Sequence, residues 1–314
     1  QTAGDFELIV VEGGSTDGTQ EILRGYAAKD SRVKIITTDK IGIVESLNDG
    51  LRHAVGEWIA RMDADDISLP NRFARQLDWL KTTGADMAGS WFKVFGAGSD
   101  HVAKHPETDE AVKTQLLFDV PFGHPTVMMR ASLVRELGGY KRAGTEEVAA
   151  CEDYDLWERG ARAGWKMTNV QEVLLMYRQH PGQISAARNV HMKKGAMLVR
   201  RRRWDFVSDL MGLKAEWFDE LFKAEGAQNM DVVDAAFSAL VKGSQGESRK
   251  VVLEHAKETY FKSAAHCPDA SSRWSKLNAL AGMKVPLGEK IRLSARVLRK
   301  YYLKKALGLL RVPR

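Results

Sequence analysis

Cysteine is scarce in this chain: Cys151 and Cys267 are the only two among 314 residues. Two thiols build no disulfide framework, and these lack metal-ligand spacing, which points to a reducing cytoplasm. Long apolar runs are also missing. None approaches the roughly 20 residues that cross a bilayer as a helix. Residues 1–4 have neither the basic start nor the small-residue cleavage site of a signal peptide. No initiator methionine precedes the apolar run at 6–11, so the chain is expected to begin within a domain. No internal repeat is present. With 44% hydrophobic and 28% charged residues, the composition excludes a disordered or collagen-like chain. The length suits one large domain or two smaller ones.

Charge is what the chain has in excess, and it is unevenly placed. The net charge is +6. Residues 289–314 hold one acidic residue against nine Lys or Arg. Within them, 295–310 puts Leu298, Tyr302, Ala306 and Leu309 on one helical stripe among basic residues. Such a segment is compatible with lying on anionic lipid. An ordinary solvated helix face packed on its domain has the same pattern. No recognition fold accompanies the charge, so nucleic acid is not expected as a partner.

Strand and helix patterns alternate through the first half. Residues 6–11 (FELIVV), 33–36 and 57–62 read as short buried strands, and 43–54 and 70–80 as helices. Ser15, Thr16, Asp17 and Thr19 offer caps for a helix through Ile22 and Tyr26. This alternation predicts a doubly wound, mostly parallel α/β sheet, with ligands at the carboxyl ends of its strands. Further strands are expected at 85–94, 122–129 and 173–177, and a helix at 152–163. After about residue 184 only helices are expected, which divides the chain into 1–187 and a helical region, 188–314.

Acidic clusters occupy the places where such a fold binds ligands. Asp63, Asp65 and Asp66 crowd three carboxylates into four residues after a strand. Their repulsion is relieved by a hard divalent cation with oxygen ligands. A solvated acidic loop before the next helix has the same composition. The spacing does not fit an EF-hand. Glu152, Asp153 and Asp155 open a helix beside Trp157, where acids are favoured by the helix dipole whatever their function. Arg178 and His180 end a strand and suit a diphosphate. His124, before another strand, is the weakest signal, since a lone histidine there is usually structural.

Taken in order, five segments resemble family 2 glycosyltransferases: DFELIVVEGGSTDGTQEIL, GEWIARMDADDISLPNRF, HPTVMMRASLVRELGGY, EDYDLWERGARAG and MYRQHPGQIS. The resemblance covers roughly residues 1 to 187 and implies the GT-A fold and an inverting transfer from a nucleotide sugar. It implies that Asp63 contacts the nucleoside, and that Asp65, supported by Asp66, binds Mg or Mn at the donor diphosphate. Asp153 is implied as general base and Glu152 as its assistant. Glu12, Arg178 and His180 fall on the donor side, and His124 and Trp157 on the acceptor side. Two departures stand out. Glu12-Gly13 replaces the paired Asp of the family pattern, and the family's first strand and helix do not precede it.

The resemblance thus implies a metal-dependent enzyme of surface polysaccharide or glycolipid assembly. Its partners are a nucleotide-sugar donor and a glycan or lipid-linked acceptor, with an anionic membrane surface possible, and its place is the cytoplasm, as a peripheral protein on the inner face of the membrane. A non-catalytic nucleotide- or glycan-binding relative is the alternative, suggested by Gly13. A nucleotidyltransferase shares the metal acids, but the Glu-Asp pair followed by Tyr177-Arg178-Gln179-His180 argues against it.

Overall fold

The first strands and helices follow from β-branched runs separated by amphipathic stretches. The computed structural model describes residues 1–39, 42–98, 100–142, 151–182, 189–223, 226–265, 267–285 and 287–306. The chain opens with β1 (Leu8–Glu12), α1 (Thr19–Ala27), β2 (Val33–Thr37) and α2 (Ile43–His53). β1 and β2 pair in parallel, Leu8 opposite Val33 and Glu12 opposite Thr37. Parallel neighbours need a crossover, and α1 supplies it. None of the expected residues caps α1: Gly18, at φ 88°, holds the N-cap position without a side-chain cap bond, and Asp17 before it accepts the Thr19 amide at 3.2 Å. Among the described residues β1 pairs with β2 alone, and Ile22 and Tyr26 of α1 are exposed.

A second sheet follows, built from β3 (Trp58–Ala60), β4 (Ile67–Ser68), β5 (Met87–Gly96), β6 (His101–Ala103), β7 (Met128–Arg130) and β8 (Met167–Gln179). Its order is β3-β7-β5-β8-β4, with β6 on β5. The α/β class is as expected, but the strand directions are mixed rather than mostly parallel. β5 and β8 run parallel, from Met87 opposite Met167 to Gly96 opposite Gln179. β3–β7, β4–β8, β5–β6 and β5–β7 are antiparallel. The short connection between β5 and β6 permits only antiparallel neighbours, while the other antiparallel pairs join strands distant in sequence.

Around the sheets lie α3 (Arg72–Thr83), α4 (Asp109–Gln115), α5 (Ala131–Glu136) and α6 (Glu152–Arg162). The strand expected over 122–129 is largely replaced by a 3-10 turn at His124–Thr126, leaving only the short β7. Pro125 has no N–H to give a ladder and fixes its own φ. The strand expected at 173–177 is part of the longer β8.

α6 is buried on most of its circumference. Tyr154, Leu156, Trp157 and Ala161 share a core with Met87, Leu116, Phe122, Met129 and Met167. Its buried acids are matched one turn on, Asp155 by Arg159 at 2.6 Å and Glu158 by Arg162 at 3.0 Å. Arg159 also donates to the carbonyls of Leu137 and Gly139, which ties α6 to the end of α5.

The chain divides into two compact units, Gln1–Val199 and Arg200–Arg314. The boundary expected at 187/188 lies outside the described residues. α7 (Asn189–Met211) is followed by α8 (Ala215–Leu221), α9 (Met230–Lys242), α10 (Gly246–Lys262), α11 (Ala270–Leu280) and α12 (Leu287–Ala306). The second unit has no strand among the described residues, and buries Trp204, Phe218, Phe237, Tyr260 and Trp274. No described helix is long and apolar enough to cross a membrane.

Gly160 tests how tightly α6 is seated. A Cβ there would lie 2.6 Å from Cε3 of Trp165 and 2.8 Å from Cε of Met167. Gly160→Ala is expected to destabilise the protein by about 1–3 kcal/mol through overpacking. Urea unfolding measures it, and an unchanged midpoint would show that α6 shifts freely.

Candidate active site

The acidic loop is placed by two strands. β3 delivers Arg61, and Asp63, Asp65 and Asp66 follow. β4 then pairs with β8, Ile67 opposite Met176, which carries the loop to the end of β8. There the Arg178 amide donates to Asp66 Oδ1 at 2.8 Å, and Arg178 Nε donates to the Asp65 carbonyl at 2.8 Å. His180 Nε2 lies 3.0 Å from Asp65 Oδ2. Asp63 is ion-paired with Arg61. The metal and diphosphate residues expected from the sequence are thus brought together.

One carboxylate oxygen from each of Asp63, Asp65 and Asp66 lies within 4.8 Å of the other two. Asp66 Oδ2 is buried with no protein partner among the described residues. Burial pushes the Asp66 carboxyl up to about 6; the Arg178 amide opposes this, and the charges of Asp63 and Asp65 add to it. Three hard oxygen donors with one orphaned buried oxygen fit Mg or Mn, which takes few protein carboxylates.

The second acidic pair sits at the start of α6. Cys151 before it takes φ 69°, a left-handed conformation uncommon outside glycine. Its Sγ donates to the Met192 carbonyl at 3.2 Å. Glu152 is buried, and Asp153 Oδ1 accepts the Tyr154 amide at 2.7 Å. Burial raises both carboxyls above their ordinary range; for Glu152 the neighbouring charge of Asp153 adds to it. Arg61 pulls both down and Asp63 pushes both up.

His124 and Trp157 stand beside this pair. His124 Nε2 lies 3.1 Å from the Tyr140 hydroxyl, and the Trp157 ring meets His124 edge-on at 5.9 Å. Burial, with help from Arg61, holds His124 well below its usual range and so neutral. Trp157 is fully buried, so it reaches the site through His124 rather than directly. Glu12 is placed differently. Its Oε1 accepts the Ser15 amide and closes the turn through Gly13 and Gly14, and these bonds keep its carboxyl below the ordinary range. A side chain at Gly13 would meet nothing within 4 Å, so packing does not exclude the missing carboxylate.

Sequence reasoning missed three residues here. Arg61 is buried and ion-paired with Asp63. Arg72 is fully buried; its Nη2 donates to the carbonyls of Arg61 at 2.8 Å and Val127 at 3.2 Å, and burial lowers it to about 9. Tyr140 holds His124 and is itself fixed by Asn48, which exchanges two 2.9 Å bonds with its backbone. The one available signal was an arginine inside an otherwise apolar strand, two residues before Asp63.

Comparison with known proteins shows the family. Residues 1–138 match the glycosyl transferase family 2 profile. The O-antigen biosynthesis glycosyltransferase WbnJ of Escherichia coli is 32% identical over 185 residues, 57% of this chain and 70% of WbnJ. The chain belongs to glycosyl transferase family 2. Its α/β unit is the GT-A domain that membership implies. The putative glycosyltransferase EpsE of Bacillus subtilis is 37% identical over 187 residues, 57% of this chain, and the match spans 64% of EpsE. A crystal structure of S. aureus TarS 1-349 in complex with UDP-GlcNAc superposes with a TM-score of 0.49 at 14% identity, over 97% of this chain and 83% of that one.

The raised carboxyl of Asp66 sets a pH dependence for this family 2 site. Its folded value, about 6, lies above the ordinary 3.8. Its contribution to stability is therefore present below about 4 and is lost as pH rises through about 6. A cation binding the ionised loop offsets that loss. Mn²⁺ is expected to raise the melting temperature at about pH 7.5 and to do little at about pH 5, where the proton competes. Asp66→Asn should abolish the difference, and an equal Mn²⁺ effect at both pH values would sink the assignment.

Proposed function

We propose that this family 2 chain transfers a sugar from a nucleoside-diphosphate sugar to an acceptor hydroxyl, with inversion at the anomeric carbon. The observation that carries the reading is the cluster of Asp63, Asp65 and Asp66 oxygens bonded to Arg178 and His180, with Arg61 at its root tied to Val127, just after the turn whose His124 packs on Trp157 of α6, the helix that Glu152 and Asp153 open. One motif suits a diphosphate with its cation, and the other suits removal of a proton. Their juxtaposition is what a single displacement requires.

In this reading Asp65 and Asp66 hold Mg or Mn, and the bound cation supplies Lewis-acid stabilisation of the leaving diphosphate. Arg178 and His180, already bonded to that loop, face the same diphosphate oxygens. Asp63 contacts the nucleoside, and Glu12 borders the donor through the turn it closes. Asp153 accepts the proton of the acceptor hydroxyl as its oxygen bonds to the anomeric carbon. The bond from that carbon to the diphosphate breaks, and its electron pair leaves with the diphosphate. A carboxylate raised by burial is a stronger base than one in water. Glu152 assists in positioning, and His124, neutral and backed by Trp157 and Tyr140, lines the acceptor side. The role of WbnJ in O-antigen biosynthesis supports surface polysaccharide or glycolipid assembly.

Asp153→Asn keeps the shape and removes the proton acceptor. Turnover is expected to fall by about 10²–10⁴-fold with donor binding retained. A radiolabelled transfer assay beside calorimetry with nucleoside diphosphate reads both, and wild-type turnover would move the base to Glu152 or Asp155.

An anionic membrane surface is the proposed second partner. α12 exposes Leu287, Ile291 and Leu298, which fall on one stripe of about 40° at 100° per residue. Lys290 flanks it on one side and Arg292 and Arg299 on the other, while Val297 faces inward. The stripe expected through Ala306 and Leu309 extends beyond the side chains described. Replacing Leu287, Ile291 and Leu298 by Ser should abolish sedimentation with phosphatidylglycerol vesicles. Unchanged sedimentation would remove the membrane from the scheme.

A further inference from the structure

We propose that Arg72 is a positioning residue for the donor side: its guanidinium clamps the end of β3, so that Asp63, Asp65 and Asp66 emerge at a fixed place. The inference rests on the reading of that loop as the diphosphate and cation site, and adds a residue of α3 that the reading does not contain.

Arg72 opens α3 and is fully buried. Every nitrogen of its guanidinium is committed. Nη2 donates to the carbonyls of Arg61 at 2.8 Å and Val127 at 3.2 Å, Nη1 meets the Met62 sulfur at 3.5 Å, and Nε donates to Gln76 Oε1 at 3.0 Å. The Val127 carbonyl also accepts the Arg61 amide at 3.0 Å. Arg61 and Met62 are the two residues between β3 and Asp63. Arg61 carries the clamp one step further, since its own guanidinium is ion-paired with Asp63. Gln76 is buried as well, and is fixed in turn by donating to the carbonyls of Ala88 and Thr126, both at 2.8 Å. One knot of bonds therefore joins α3, β5, the segment entering β7 and the root of the acidic loop.

Core stability alone does not ask for this arrangement. All four partners of the guanidinium are uncharged groups. A buried cation held by neutral groups rather than by a carboxylate is costly, and an apolar side chain of similar volume fills such a space at less cost. What an apolar side chain cannot do is hold the carbonyl of Arg61 once the sheet has ended. The β3–β7 ladder stops at Ala60, opposite Met128. Beyond it the near end of the loop is held by the Arg61 amide and by Arg72, and the far end by Arg178, through Asp66 and the Asp65 carbonyl. Two arginines thus grip the loop, one at each end. A planar guanidinium presents its donors in a fixed fork and serves two carbonyls, a sulfur and an amide oxygen at once, which a flexible ammonium does less well.

Amide hydrogen exchange on the full chain tests the clamp without substrate. Arg72→Lys keeps the charge and gives up the fork. It is expected to speed exchange over residues 61–69 by about ten-fold or more, the equivalent of one lost hydrogen bond to a charged group, while residues 152–162 of α6 keep their wild-type rates. A merely structural arginine would speed both stretches together. Wild-type rates over 61–69, or a uniform rise, would overturn the proposal. The second measurement is binding of uridine diphosphate with Mn²⁺, by calorimetry at a temperature where the variant is folded. Affinity is expected to fall by about ten-fold or more, since donor phosphates then meet an unplaced loop. A loosened loop with wild-type affinity overturns the positioning role as well. If Arg72→Lys does not fold, Met62→Leu keeps the buried arginine and removes its sulfur acceptor, and a local rise of about two-fold or more over 61–69 is required of it. A wild-type chain that binds no uridine diphosphate would sink the reading of the loop as the donor site. The exchange result is independent of that outcome and decides the role of Arg72.

Discussion

Like charge crowded into one place is the constraint around which this site is arranged. Asp63, Asp65 and Asp66 leave β3 together, and Glu152 and Asp153 begin α6 together. Carboxylates so placed repel one another, and burial adds a desolvation cost to each. The structure answers with partners of different kinds. Arg61 pairs with Asp63, the Arg178 amide caps Asp66, and His180 meets Asp65. What remains uncompensated appears as raised carboxyls at Asp66, Glu152 and Asp153 and as an orphaned oxygen on Asp66. A cation and a proton acceptor are the two uses proposed for such residual charge.

The scaffold around the charges is correspondingly rigid. β4 and β8 are locked by their ladder, so the loop between β3 and β4 is held at both ends. α6 is buried nearly all round, and its first turn leaves a left-handed Cys151. That backbone cost persists only where the surrounding packing over-determines it. By contrast, Glu12 lies in a separate two-stranded sheet and spends its carboxylate on a local turn. Glu12 and the Asp63–Asp66 loop therefore belong to two different sheets.

Several features were legible before any coordinates. Three acids in four residues after an apolar strand announced a charge problem, and the acids of 152–155 announced a helix start. Residues 122–129 were not legible as they are. Their apolar run matches a strand, but Pro125 removes a ladder donor, and the segment turns instead. The mixed strand directions were hidden for a similar reason, because direction depends on connection length and partner. Arg61 was hidden because one arginine in a strand has no local signature of what it faces.

The sequence by itself determined the chemistry available: which carboxylates, which cations, and most of the short segments that become strands or helices. These are local properties, set by side-chain type and by periodicities of two and 3.6 residues. Only the tertiary structure decided that the Asp63–Asp66 loop meets Arg178 and His180 at the end of β8, that Arg61 is buried against Asp63, that Trp157 is buried behind His124, and that Glu12 serves a turn. Adjacency between distant segments depends on sheet register and core packing, and ionisation depends on burial, and neither is written in any one stretch of the chain.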